Sequence, residues 1–317
     1  MLVVLAIATT QARAREDYPN RPVRWVVPFP PGGGTDFVSR VLAMRLAEVW
    51  RQQVVIDNRG GAGGVVGTEI AARAAPDGYT LLFATAAGMI INPLLNPGLS
   101  YDPARDFAPV TLLVINPELL VANASVPVQS VKELVALAKT QPGRLNYGSS
   151  GAGSANHLCM ELLKTMVGID LVHVPYKGAG PAITDLLGGQ VQVLFNPMPP
   201  LIPLVKSGRL RALGVGDARR SPAMPEVPTI AESGVPGYEY VLWYGLFAPV
   251  RTPRSAINTM NAELKKILAE PDMVQRLRAQ GAEPGATTPE AFARFLREDK
   301  ERLQKVIRSA GITGEQR

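Results

Sequence analysis

Two well-separated segments, residues 28–36 (PFPPGGGTD) and 147–157 (YGSSGAGSANH), carry the residue types that hold an anion without a metal or a basic side chain. Glycines leave backbone N–H groups uncovered, and the first four N–H groups of a helix have no intrahelical acceptor. A Gly-rich loop that runs into a helix start therefore offers donors and the positive end of the dipole to a carboxylate or phosphate. The hydroxyls of Thr35, Ser149, Ser150 and Ser154 add further donors. Two such half-sites in one chain predict two jaws closing on one small anionic molecule.

Other uses of the same glycines fail on register. No G-x-x-x-x-G-K-[ST] phosphate loop occurs, and in Ala62-Gly63-Gly64-Val65-Val66-Gly67 the first glycine of G-x-G-x-x-G is replaced by Ala62. Gly148-Ser149-Ser150-Gly151-Ala152 misses the last glycine of the G-x-S-x-G elbow. Both failures favour a binder, with a secreted α/β enzyme acting on an anionic small molecule as the alternative.

Composition narrows the field further. The 317 residues suit two domains, and 46% hydrophobic residues supply a buried core. With two histidines and one cysteine, Cys159, the chain lacks the ligands for a structural zinc site or an iron–sulfur cluster and the second thiol for a disulfide; no cofactor is expected. The net charge of +6 comes from scattered Lys and Arg without an aromatic-studded basic stripe, which argues against nucleic acid as a partner. Residues 1–14 combine a short apolar run, LVVLAIA, with Ala12-Arg13-Ala14, a small-x-small cleavage pattern, and read as an export signal. No later apolar run is long enough to span a membrane.

The elements that must position the jaws alternate. Strands are expected over residues 23–27, 54–56 and 79–84, separated by a helix with an apolar stripe at Phe37, Val38, Val41, Leu42, Leu46 and Val49 and by a second helix over 69–75. A second unit has strands at 119–122, 145–148, 171–174, 190–195 and 210–215, with helices between them; the helix over 131–139 opens at Ser130 with Glu133 at capping-box spacing. A strand over 241–249 leads to helices at 254–268, 273–280 and 289–310. This βαβ order predicts an α/β fold with two mainly parallel sheets, each flanked by helices, and ligands at the carboxyl ends of strands. A tail of helices cannot cover itself, so domain one is expected to comprise residues 18–119 and 247–317 and domain two residues 120–246, with crossovers near 119–122 and 241–247.

The motifs PFPPGGGTD, GAGGVVGTEIAARAAPDGYTLLF, YGSSGAGSANHL, HVPYKGAGPAITDLLGGQVQVLF, the segment 202–215 and MPEVPTIAESGVPGYE stand in this order, and together resemble the substrate-binding proteins of tripartite tricarboxylate transporters, the Bug family. The resemblance runs from about Tyr18 to the final helix. It implies a periplasmic, two-domain Venus-flytrap receptor of the type II binding-protein fold, working as a monomer that hands a small carboxylate to membrane permease subunits. It also implies that the loops at 29–36 and 148–154 clamp the carboxylate through backbone amides, hydroxyls and bridging waters. Neither loop contains Arg or Lys, in agreement.

The site residues expected on these grounds are Phe29, Pro30, Gly33, Gly34, Thr35 and Asp36 from the first loop, Ser149, Ser150, Gly153, Ser154 and His157 from the second, Thr85 and Ala86 after the third strand, and Tyr176 at a further strand-to-helix junction. Thr35 is read as the N-cap of the first helix, its hydroxyl either capping or facing ligand. Asp36 at the first helical position either complements the dipole or pairs with an amino group. About half of the three serines are expected to be turn residues. His173 reads as a packing residue, and Trp243 and Tyr244 either as hinge packing, the preferred reading, or as a wall for the ligand. Two departures from the family pattern are the proline-rich run Phe195-Asn196-Pro197-Met198-Pro199-Pro200 and Leu303, where a Trp is common.

Overall fold

A computed structural model describes residues 18–279 and 281–309; the expected export signal lies outside them. The apolar run of β1 (Val23–Val27) has nearly every position buried because it pairs in parallel with a strand on each side, as a central strand covered on both faces must. In α1 (Gly34–Trp50), Val38, Val41, Leu42 and Leu46 form a buried stripe at three- and four-residue steps. Then come β2 (Val54–Asn58), a 3-10 turn (Ala62–Gly64), α2 (Val65–Ala72), β3 (Thr80–Thr85), a π-helical turn (Ala87–Ile91) and the short helices α3 (Asn92–Leu95) and α4 (Pro103–Asp106).

The strand β4 (Phe107–Asn123) is far longer than the four residues its sequence suggests. It leads through α5 (Val131–Thr140), β5 (Asn146–Ser149), α6 (Ala155–Val167), β6 (Val172–Pro175), α7 (Ala179–Leu187), β7 (Val193–Pro197) and α8 (Ile202–Lys206) to β8 (Leu210–Val215). At the start of α5 the Ser130 hydroxyl accepts from Glu133 N at 3.2 Å, the cap its spacing predicts, while the Glu133 carboxylate accepts from Gln129 N at 2.7 Å, one residue before the N–H a capping box would use. The chain ends with β9 (Val241–Pro249), α9 (Arg254–Ala269), α10 (Pro271–Arg278), β10 (Glu283–Pro284) and α11 (Pro289–Ser309).

The strand order β2-β1-β3-β9-β4-β7-β5-β6 joins two sheets through β4. The parallel order expected from βαβ alternation holds for β2-β1-β3 and for β6-β5-β7. Every antiparallel pairing involves β4 or β9, so both sheets are mixed: a strand that crosses between units and a strand that returns necessarily run against their neighbours. Residues Phe107 to Pro117 of β4 pair with β9, and Glu118 to Ala122 pair with β7, so β4 changes sheets at the step from Pro117 to Glu118. Residues 241–246, assigned by pattern to the second unit, hydrogen-bond only to β3 and β4 of the first sheet. The return therefore falls at the step from Tyr240, whose N–H reaches Gly216 O at 2.8 Å, to Val241.

The C-terminal elements pack back on the first sheet. β10 pairs with β4, Asn261 Nδ2 donates to Val110 O at 2.9 Å, Arg45 of α1 makes a two-pronged bond to Glu270, and Trp243 Nε1 donates to Asp299 Oδ2 at 2.7 Å. Leu303 is buried in this core and fills its position without an indole.

Gly245 of β9 lies directly under α11, where a Cβ would fall inside van der Waals contact of the Phe292 ring. Gly245→Ala is expected to lower the unfolding free energy by about 1–3 kcal/mol in urea titration, the usual cost of overpacking. Phe292→Leu in the same chain should recover part of that loss. Additive losses in the double variant would show that the ring is not what the new methyl meets.

Candidate functional site

The two Gly-rich loops end at helix starts that no side chain closes. α1 is capped by Gly33 in an extended conformation and α6 by Ser154, and neither has a side-chain capping bond. The first intrahelical bonds are Phe37 N to Gly33 O at 3.0 Å and Leu158 N to Ser154 O at 3.1 Å. Earlier N–H groups of each first turn, at Gly34, Thr35 and Asp36 and at Ala155, Asn156 and His157, have no intrahelical acceptor.

Two sequence expectations change here. Thr35 is the second helical residue and not the N-cap, because Gly33 already supplies the extended residue and the accepting carbonyl. Asp36 is the third, and its carboxylate is spoken for: Gly32 N donates to it at 3.1 Å and Arg40 Nε at 2.9 Å. Burial raises the Asp36 pKa, but the Arg40 and Gly32 bonds outweigh this and hold it below the usual range. Its side chain lies toward Arg40 and Met44 on an outer face with Pro199, away from the cavity between the helix starts.

That inner cavity, of 50 Å³, is walled by Gly33, Gly34 and Thr35 of the first jaw and by Ser150, Ser154, Ala155 and Asn156 of the second. Its floor comes from Thr85, Glu118, Asn196, Pro197, Leu242 and Tyr244. A cavity needs roughly 10–15 Å³ to hold one water, so this space admits a few water-sized groups, such as the oxygens of one carboxylate. The lining holds no Lys or Arg. The α1 start approaches β7 closely: a Cβ on Gly34 would stand 2.9 Å from Pro197 Cβ and 2.7 Å from the Tyr244 hydroxyl. A Cβ on Gly33 meets only Ala179 Cβ at 3.8 Å, so Gly34 and not Gly33 is the glycine that close approach requires.

Asn156 organises the second loop. Its Oδ1 accepts from Ser150 N at 3.1 Å, Ser150 Oγ at 2.9 Å and Ser154 Oγ at 2.6 Å. Among the described residues nothing accepts from its Nδ2, which is left to face the cavity it lines. Tyr244 accepts from Asn116 Nδ2 at 3.3 Å, and among the described residues its own proton has no taker. Burial drives its pKa well above the ordinary value, so the phenol remains a donor.

A larger outer chamber of 460 Å³ shares Phe29, Pro30 and Ser150 with the inner cavity. The turn at residues 61–64, Asn92, Gly153, His157, His173, Tyr176 and Lys177 surround it. Tyr176 is anchored by its hydroxyl to Asp185 Oδ2 at 2.7 Å, and His157 Nδ1 accepts from Gly153 N at 3.1 Å. Ala86 is buried and lines neither chamber. Ser149 also lines neither; its hydroxyl lies 2.6 Å from His173 Nε2. A hydrolase of the serine type needs a carboxylate on the other imidazole nitrogen, and among the described residues none bonds to His173.

A model of the tripartite tricarboxylate transporter family receptor matches residues 38–312. The chain belongs to that family. Among solved structures, R. palustris Rpa4515 with adipate is 40% identical with a TM-score of 0.92, covering 94% of this chain and 100% of that one. The periplasmic binding protein BugD is 35% identical with a TM-score of 0.88, covering 94% and 100%. MatC (Rpa3494) from Rhodopseudomonas palustris with bound malate is 33% identical with a TM-score of 0.86, covering 92% and 100%. The fold is thus that of the two-domain periplasmic binding proteins, and the family is one of periplasmic solute receptors. No helix among the described residues is long and apolar enough to cross a membrane.

Three polar side chains of the inner cavity, Glu118, Asn156 and Asn196, are not among the residues expected from sequence. Tyr244 packs as expected, fully buried with its ring 5.6 Å from that of Phe83, and also lines the cavity, whereas Trp243 only packs, its indole edge-on to Phe292 and Phe295. Glu118 carried a readable signal, a lone carboxylate inside an apolar run, and Asn156 carried none beyond its place next to a helix start.

His157 and His173 stack with ring centroids 4.0 Å apart, and Tyr147 stacks on His173 at 4.9 Å. Burial lowers both imidazole pKa values, and His157 adds to the effect on His173, whose value falls to about 3. For His173 the unfolded chain takes up its proton near pH 6.5 and the folded chain only near 3. Its contribution to stability is complete above about pH 6.5 and is lost as the pH falls toward 3. His173→Gln is therefore expected to flatten the decline of melting temperature between pH 7 and 4.5; an unchanged slope would remove His173 from the acid response.

Proposed function

We propose that this receptor captures a small carboxylate, dicarboxylates foremost, between two lobes and delivers it to the membrane permease of a tripartite tricarboxylate transporter. The observation that carries the reading is the pair of uncapped helix starts facing one cavity without Lys or Arg. Backbone N–H groups and two dipole ends suit a carboxylate, and the dicarboxylates adipate and malate in related receptors support the class. One carboxylate sits in the inner cavity, held by the amides of Gly34, Thr35, Ala155 and Asn156 with the Thr35 and Tyr244 hydroxyls, while the Ser150 hydroxyl is spent on Asn156 Oδ1. The rest of the molecule extends past Phe29 and Pro30 into the outer chamber, toward Tyr176 and His157.

The lobes are residues 18–117 with 241–309 and residues 118–240, divided where strand pairing changes. Ligand that touches both lobes favours the closed form by its differential affinity alone. The receptor works as a monomer in the periplasm, exported by the signal at residues 1–14.

Native protein melted with adipate or malate at about 100 times its Kd should gain about 2.7 kcal/mol. Absence of any shift across dicarboxylates, tricarboxylates, amino acids and aromatic acids would contradict the reading. Gly34→Ala should weaken the bound acid about tenfold or more, because closing then costs about 1–3 kcal/mol of overpacking against Pro197, whereas Gly33→Ala should bind as the native protein does. Equal affinities in calorimetry would show that α1 and β7 do not meet in the bound form.

A further inference from the structure

One acidic side chain stands in a cavity otherwise built to attract an anion. Glu118 is 1% exposed, its Oε2 has no hydrogen-bond partner, and among the described residues no donor reaches either of its oxygens. It lines the inner cavity beside Asn156, Asn196 and Tyr244, at the residue where β4 leaves one sheet for the other. A buried carboxylate without a partner is costly, and a buried group that persists without one in the protein itself points to a partner that arrives with the ligand.

We propose that Glu118 reads the ligand as a neutral acid, donating its O–H to an oxygen of the ligand carboxylate that the two helix starts hold. This inference rests on the receptor reading above and names the group that makes the inner cavity selective for an anion over an ammonium. An ionised Glu118 beside a carboxylate would repel it; a protonated one adds a charge-assisted hydrogen bond.

The surroundings keep the proton on. The ionisable groups whose charges act on one another with Glu118 are Cys159 from α6, Tyr238 and Tyr240 from the segment before β9, and Tyr244 from β9, all neutral at neutral pH. No basic group offsets its burial, which alone raises the Glu118 pKa from 4.5 to about 8. A bound carboxylate raises it further, so binding and protonation support each other.

The test has two arms, with adipate as the probe and malate as a second. Without ligand, the unfolded chain releases this proton near 4.5 and the folded chain near 8, so native stability falls with pH across that interval, and Glu118→Gln should lessen the fall. With adipate, native affinity should be level up to about pH 7 and then drop about tenfold per pH unit above pH 8. Glu118→Gln, which keeps a donor of the same shape, should bind within a few-fold of native at pH 7 and lose the alkaline drop. Glu118→Leu should melt at least as high as native at pH 9 yet bind adipate more weakly at every pH.

Three results would overturn the proposal while leaving the receptor reading intact: adipate binding by native protein that is independent of pH, an alkaline drop that persists in Glu118→Gln, or an ω-amino acid preferred to adipate by native protein but not by Glu118→Gln. Failure of native protein to bind either acid at any pH from 6 to 9 would overturn both.

Discussion

Backbone N–H groups that a helix cannot satisfy internally are the constraint around which this molecule is arranged. The first turns of α1 and α6 have no side-chain cap, and both begin at the same small cavity. Donors without acceptors in a partly enclosed cleft are unfavourable, so the arrangement favours an anion or ordered water between them. The supporting side chains serve that geometry. Asp36 ties Gly32 and Arg40 behind the first loop, and Asn156 gathers Ser150 and Ser154 in the second. Each polar group that shapes a loop is thereby withdrawn from the ligand, while the amides remain available.

The proposed capture further requires that the two helix starts can separate. They hang from different sheets, and the sheets are joined through β4 at the Pro117–Glu118 step and through the Tyr240–Val241 step. Hydrogen bonds from Gly216 N to Glu118 O and from Tyr240 N to Gly216 O hold the two crossings side by side. The proposed opening of the cavity places its rotation at these steps. Glu118 lies at both the floor of the cavity and this junction, so the proposed protonation and the proposed closure involve the same few residues.

Much of this was legible in the chain. The order of strands and helices, the N-cap at Ser130 and the two anion-ready loops follow from periodicity and turn chemistry that local forces dictate. The first half of β4 was hidden because Pro109 and Pro117 interrupt its pattern; the strand tolerates them at the bulged register near Pro109 and at the end of its pairing with β9. The N-cap of α1 was misplaced by two residues because a threonine is the better cap in isolation, whereas Gly33 is the residue that permits the turn to approach the second jaw. Glu118 was missed, and Tyr244 assigned to packing first, for a different reason. Each sits in a strand whose neighbours are core, and only the pairing of β4 with β7 and β9 shows which face opens on the cleft.

A crystal structure of the protein with a dicarboxylate such as adipate tests the central claim most directly. The account predicts one ligand carboxylate within hydrogen-bond distance of first-turn N–H groups from both α1 and α6, with a Glu118 oxygen adjacent. A ligand that touches only one helix start, or that lies wholly in the outer chamber against Tyr176 and His157, would contradict it.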